Sequence, residues 1–350
     1  MLRVPERGNM KQSPLLELAG AVPAEGIDSG VAEHYGDPFG EQRALAQEVA
    51  FVDRSNRGVV AVPGPDRLSW LHSLTTQHLT GLAPWEGAEA LILSPHGHLE
   101  HHLVLADDGV TTWVDLEPDT TSALLKFLDS MRFLLRVDPS DVADDWAVLT
   151  VAGPSAAAAV KAIGAEVGDQ PYAVGPLPEG GFARRLPWPG TDLLVPRASL
   201  HETAKRLVSA GVPPAGRWAF EALRVAARRP RLGWETDHRT IVQEGGWEQV
   251  AVHFDKGCYR GQETVARVQN LGRPPRRLVL LHLDGSAELL PARGTPVSLD
   301  GRQVGFVGTP ARHYELGPIA LALIKRTVPD DASLRVDRLD ASIDMDPGHQ

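Results

Sequence analysis

One order of elements occurs twice in this chain and constrains the fold more than any other feature: strand, Gly-Pro break, helix, strands, helix. In the first occurrence the apolar run 58–62 is cut by Pro63-Gly64-Pro65. Asp66 then leads a helical spacing of Leu68, Leu71 and Leu74. Runs 88–93 and 99–105 read as strands joined by a turn at Pro95-His96-Gly97, and 110–116 as a further strand. Leu124, Leu125, Phe127 and Leu128 follow at helical spacing, behind Asp119 or Thr120 as cap. In the second occurrence the strand 146–151 is cut by Gly153-Pro154, and the Ala-rich stretch 155–163 is helical. Runs 182–186 and 193–195 make a hairpin around Trp188-Pro189-Gly190-Thr191, and a helix over 199–210 closes at Gly211 and Pro213. The order predicts two structurally similar α+β halves. It is a match of pattern and not of residues, so no repeated sequence unit is implied.

The flanks complete the plan. Residues 1–40 are rich in Gly, Pro and Glu and read as an extended arm, lying on the fold or partly disordered. Leu45, Val49 and Ala50 suggest a short helix over 41–51. A helix over 218–227 carries Phe220, Leu223 and Val225 inward, and 228–257 is a long irregular connection, a kind of segment that is usually functional. Short strands at 277–283, 296–299, 301–307 and 319–324, with a hairpin signal at Asp300-Gly301, fit a small β-barrel or sandwich. The expected boundaries are an arm 1–40, α+β subdomains 41–144 and 145–230, a connecting segment 231–272, a barrel 273–330 and an acidic tail 331–350, frayed from about 340.

Bulk properties exclude several function classes. Thirty-five basic and 45 acidic side chains give a net charge of −10, which argues against a general nucleic-acid coat and against DNA as a partner. One cysteine cannot form an internal disulfide, a Cys-rich zinc site or an iron–sulfur ligand set. No apolar run approaches the ~20 residues of a membrane span, and the start lacks a signal-peptide core, so the expected location is cytoplasmic.

That single cysteine stands in Asp255-Lys256-Gly257-Cys258-Tyr259-Arg260-Gly261-Gln262-Glu263-Thr264. Were this stretch extended, Lys256 and Arg260 would share a face with the thiol, and nearby cations favour thiolate. A free cysteine is more often a small buried hydrophobe, but flanking Gly, Lys, Gln and Glu are not core residues. Around it, from Arg217 to Arg277, twelve cations face seven acids in an otherwise acidic chain. That imbalance points to an anionic ligand such as a carboxylated cofactor, a phosphate or RNA, or else to a solvated face. His96, His98, His101 and His102 crowd the turn after 93. In a strand, His96, His98 and His102 share a face, yet Glu100 is the only carboxylate nearby, so no metal site is expected. Phosphate-loop and Ser-nucleophile motifs are absent.

The stretch 256–263, followed by Val265-Ala266-Arg267, resembles the signature of the YgfZ-type folate-binding proteins, relatives of the glycine-cleavage T-protein, an aminomethyltransferase. The resemblance extends from about Glu41 to Thr327. Val52-Asp53-Arg54-Ser55, Val62-Pro63-Gly64-Pro65-Asp66 and Trp70-Leu71-His72-Ser73-Leu74-Thr75 look like that superfamily's opening. Ala222-Leu223-Arg224-Val225 and Ile241-Val242-Gln243-Glu244 resemble its approach to the Cys loop.

The resemblance implies an α+β fold with three subdomains around a central cavity, the third a β-barrel. It implies tetrahydrofolate as cofactor and a supporting role in iron–sulfur cluster assembly or repair. Iron–sulfur proteins or their assembly factors, and tRNA-modifying enzymes, would then be partners. Cys258 would be the reactive thiol, with Lys256 and Arg260 favouring thiolate. Gly257, Tyr259, Gly261, Gln262 and Glu263 would complete the loop, and Arg224, Arg267, Gln243, Glu244, His101 and His102 would contact the cofactor. Where the aminomethyltransferases carry an acidic pair after a Gly-rich turn, this chain has His101 and His102, and Ala226 replaces the acid after Leu-Arg-x. A folate-dependent one-carbon transferase or demethylase is the alternative. A non-catalytic RNA- or protein-binding module is the third reading.

Overall fold

A computed structural model describes residues 12–285 and 289–345. The chain divides into two compact units, one from 1–60 and 140–219 and the other from 61–139 and 220–350.

The first unit is built on a six-stranded sheet. Its spatial order is Val174–Pro176, Phe182–Arg185, Gly190–Pro196, Trp146–Ala152, Ala50–Asp53 and Pro214–Ala215. Neighbours are antiparallel except the last pair. Phe51, Leu149, Val151, Leu193 and Val195 point to one face, as period-two alternation requires, and pack on Ala156, Val160, Leu200, Ala204 and Leu207 of the helices Ala156–Ala162 and Leu200–Ser209. The spacing of 200, 204 and 207 is the helical repeat that makes such a face. The strand Ala50–Asp53 joins this sheet, so the stretch 41–144 serves more than one sheet.

Residues 13–34 pack on this unit. Leu15 is wholly buried in that core, and Ser13 donates to the Asp53 carboxylate at 2.5 Å. Residues 1–11 of the expected arm lie outside the described residues. The next helix runs Pro38–Gln47, earlier than expected, because Asp37 accepts from the Gly40 amide and Pro38 sits at its start.

The second unit holds the strands Glu86–Leu93, Leu99–Asp107 and Thr111–Leu116, neighbours in that order. The hairpin Glu86–Leu93/Leu99–Asp107 is antiparallel, and its register slips at Ile92/Leu93, where Ile92 opposes His101 and Leu93 opposes Leu99. Glu100 is the extra residue of this bulge, so the simple alternation expected for the histidines is interrupted. Arg67, on the helix Arg67–Leu74, donates to both oxygens of Asp107 (2.8 and 2.7 Å), and Thr112 donates to one of them at 2.6 Å.

The barrel is closed, in the order Arg276–Leu283, Gly317–Lys325, Arg302–His313, Pro296–Leu299, Leu334–Val336, Leu339–Ile343. Leu299 opposes Arg302 across Asp300-Gly301, both with positive φ (49° and 75°), which is the expected two-residue turn. The last two strands correct the acidic-tail expectation for 331–350. Leu334, Val336, Ala341 and Ile343 point inward and Arg335, Asp340 and Ser342 outward, so charge on one face conceals a strand with an apolar other face. The end of that expected tail, 346–350, lies outside the described residues. Outside the barrel, Ala222, Val225 and Ala226 of the helix Arg217–Ala226 pack on Leu280, Ala311, Ile319 and Leu321. Among the described residues no helix is long and apolar enough to cross a membrane.

Arg67→Ala leaves the Asp107 carboxylate, 1% exposed, without its cation. Removing one partner of a buried pair costs about 3–5 kcal/mol, so the urea midpoint of unfolding should fall accordingly. A loss below about 1 kcal/mol contradicts this account.

Candidate functional site

Two stretches some 160 residues apart meet in the second unit. The turn after Leu93 carries Gly97 at φ +79°, and the Cys loop ends at Gly261, also at φ +79°. A Cβ on Gly97 would lie 2.5 Å from the Thr264 Cβ and 3.0 Å from the Gly261 carbonyl oxygen, and one on Gly261 would lie 2.8 Å from the Gly97 Cα. Both positions therefore require glycine for conformation and for space. Thr264 Oγ1 donates to the His96 carbonyl at 2.8 Å, which closes the contact.

Gly261 is followed by the helix Gln262–Leu271, which ends at Gly272 in the left-handed region. This helix was not anticipated. The residues 262–270 offer only Val265 and Val268 as large apolar groups, so no amphipathic stripe announces it. The bracketing glycines were the available signal. Val265 and Tyr259 are buried with Leu91, Leu93, Leu99, Val242 and Trp247, and Gln243 Nε2 donates to the Val265 carbonyl at 3.0 Å.

Cys258 is exposed on the loop between Lys256 and this helix. Gly257 before it takes φ +92°. The two flanking cations turn away into separate contacts, because the loop is not extended. Lys256 is buried, its ammonium donating to the carbonyls of His72 and Thr75 and lying 5.1 Å from the Tyr259 ring centroid. Burial lowers the Lys256 pKa to about 8 and raises that of Tyr259 to about 12. Arg260 pairs with Glu100 at 3.3 Å and lies 5.3 Å from the Phe127 centroid. Gln262 is half-buried and Glu263 exposed on the first turn of the helix.

His101 is 7% exposed, 6.4 Å from the Phe127 ring, and its Nδ1 has no hydrogen-bond partner. Burial first, and the Arg260 charge second, lower its pKa to about 4. It is a neutral imidazole at ordinary pH. His102 lies otherwise, with Nε2 2.7 Å from Glu89 Oε2 and its ring 5.8 Å from Trp247. Among the described residues no group of three or more His, Cys, Asp or Glu is placed to hold a metal ion.

The charge excess of 217–277 is largely neutralised by acids from elsewhere in sequence. Arg217 pairs with Asp28, Arg228 with Asp344, Arg231 with Glu117, Arg260 with Glu100 and Arg277 with Asp330. Arg276 binds Asp237 and Glu244, holding Asp237 well below the usual carboxylate range against the cost of its burial. Arg224 is buried and donates to Glu221, Glu235, Thr309 and the Arg229 carbonyl, so a ligand carboxylate would have to displace one of these. Glu244 is equally engaged, by Arg276 and the Ile241 amide. Gln243 keeps a buried Oε1 without a partner, and Arg267 is exposed on the helix. The structure thus brings together the Cys loop, Gln243 and the 96–102 turn, and encloses Arg224 and Glu244 among protein groups.

The fold matches that of glycine-cleavage-system aminomethyltransferase T from Bartonella henselae, with a TM-score of 0.83 over 96% of this chain and 97% of that one, at 17% identity. That likeness is one of fold alone. In sequence, the chain is 28% identical over 313 residues to the tRNA-modifying protein YgfZ of Edwardsiella ictaluri, covering 85% of this chain and 92% of that protein. It is 27% identical over 340 residues to an aminomethyltransferase of Rubrobacter xylanophilus, covering 91% and 88%. It is 26% identical over 293 residues to a chloroplastic transferase of Arabidopsis thaliana, 79% of this chain but only 65% of that protein's length. No protein-family profile matches the chain. The chain is thus similar in sequence, over most of its length, to a YgfZ protein and to aminomethyltransferases.

Two outcomes follow from the geometry. Gly97→Ala forces a side chain into a left-handed backbone against Thr264, at a cost of about 1–2 kcal/mol for conformation alone. Amide exchange across 262–271 should accelerate, and unchanged exchange contradicts the close approach. The second concerns acid. The folded pKa of His101 is depressed to about 4, so between that value and about 6.5 the unfolded chain binds the extra proton. Stability therefore rises with pH across this window and is lost on acidification through it. His101→Leu should flatten that part of the stability–pH curve, read by urea unfolding at a series of pH values.

Proposed function

We propose that this protein is a folate-binding accessory factor of the YgfZ type that supports iron–sulfur cluster assembly or repair, with Cys258 as its reactive thiol. The observation that carries the reading is the docking of an exposed Cys258 loop, through Gly97 and Gly261, onto the turn that precedes the His101 strand. A thiol presented on an exposed loop can be reached by a partner, whereas a core cysteine cannot.

The donor set fits a folate. A pterin edge needs neutral hydrogen-bonding partners, and the His101 Nδ1 and Gln243 Oε1 are buried polar atoms without partners. The glutamate end needs a cation, and Arg267 is exposed with no ion pair among the described residues. These three residues would hold the cofactor. Arg224 and Glu244 would act by fixing the walls, through Glu235 and Arg276. Bound tetrahydrofolate would supply one-carbon carrier chemistry. The tRNA-modifying name borne by the Edwardsiella relative supports tRNA-modifying enzymes as partners.

The test has two arms. Tetrahydrofolate titrated against tryptophan fluorescence should saturate, and no binding at about millimolar ligand sinks the cofactor assignment. Cys258→Ser should abolish support of iron–sulfur enzymes in cells while leaving folate affinity nearly intact. Full support by that variant removes the thiol from the reading.

A second reading, folate-dependent one-carbon transfer, is favoured by the aminomethyltransferase fold over nearly the whole chain. Incubation with tetrahydrofolate and methylamine-type donors should then yield methylene-tetrahydrofolate.

A further inference from the structure

The Lys256 side chain leaves an exposed loop and ends in the protein interior. Its two acceptors, the carbonyls of His72 and Thr75, belong to the last turn and C-cap of the helix Arg67–Leu74. Such carbonyls have no partner within their own helix, and a cation there also meets the negative end of the helix dipole. Thr75 cannot supply the missing donor, because its amide and its hydroxyl both go to the Leu71 carbonyl (3.0 and 2.9 Å). Lys256 therefore caps a helix from more than 180 residues away. No carboxylate pairs with it among the described residues, so the two carbonyls are its principal stabilisation.

Three histidines and a tyrosine stand about this end of the helix. His72 lies on the helix, His78 just beyond it at 4.9 Å between rings, and His253 at 5.2 Å from His78. Burial first, then Lys256 and His78, lower the His72 pKa. Tyr259 covers the ammonium from the loop side. The amine is thus held between two carbonyls and an aromatic face, near the His72 imidazole whose pKa its charge helps to lower.

We propose that Lys256 is a positioning residue: it latches the Cys258 loop to the end of the helix Arg67–Leu74, and does not act on the thiol through its charge. This deepens the proposed function, since it assigns how the reactive loop is held, but its test needs no folate. Alkylation of Cys258 by iodoacetamide, followed from about pH 6 to 10, reads the thiolate midpoint. Amide exchange over 253–261 reads the loop. In Lys256→Met the midpoint should stay within about 0.3 pH, while loop exchange accelerates about tenfold or more. In Lys256→Arg, which keeps two donors and a cation, exchange should return towards wild type. A midpoint raised by about one unit in Lys256→Met, with exchange unchanged, would overturn the latch and restore the charge role. If Lys256→Met does not fold, the arginine variant decides by itself: loop exchange near wild type supports the latch, and exchange accelerated about tenfold or more overturns it.

Discussion

The close approach of Gly97 to Gly261 is the contact on which the site's geometry depends. Two backbones meet where neither tolerates a Cβ, and each is in a conformation that L side chains avoid. The helix that starts at Gly261 is ten residues long and exposes Glu263, Ala266, Arg267, Gln269 and Asn270. A helix that short is marginal in water by its own propensity. What holds it is docking: Val265 in the apolar cluster, Thr264 on the His96 carbonyl and Gln243 on the Val265 carbonyl. Cys258 takes its position from the same anchor, three residues upstream, and from Lys256 on the other side of it.

The arginines of 217–277 show how a charge count differs from a charged surface. Five of the twelve pair with acids brought from distant sequence, and Arg224 and Arg276 with acids of the segment itself. Buried pairs add little net stability against their desolvation, but they penalise every arrangement that leaves one partner alone. Arg224, Arg231, Glu221, Glu235 and Thr309 thus select one geometry for the connecting segment and the helix before it. Arg239, Arg267 and Arg273 stay exposed, with no ion pair to their side chains among the described residues. An RNA-binding reading would rest on those three and not on twelve, which weakens it.

Period-two and helical spacings made most elements legible, because each half buries one face of a sheet under helices. The strands at 334–343 were missed because Arg335, Asp337, Arg338 and Asp340 dominate the composition there, while the apolar residues between them are single and spaced by two. The helix 262–271 was missed because it buries little and is fixed by tertiary contacts. At the site, the Cys258 loop was legible from its own residues. The turn at Gly97 as its neighbour was not, since nothing local in either stretch encodes a contact across 160 residues. Lys256 was read as a neighbour of the thiol because an extended strand was assumed. Gly257, at φ +92°, breaks that geometry and lets the lysine turn inward.

The imidazole at 101 bears on which of the two functional readings the site favours. A carboxylate in a transferase site keeps a negative charge at neutral pH and can stabilise positive charge that develops on a substrate. His101 cannot do this: it is neutral, and Arg260 beside it opposes any added positive charge. As a base with a pKa about 4 it also draws protons weakly at neutral pH, far from the matching that general-base catalysis needs. What a neutral imidazole does well is accept one hydrogen bond and donate another without carrying charge into an apolar pocket. That property suits holding a heterocycle more than transforming it. In the proposed function, reactivity then rests with the exposed sulfur of Cys258.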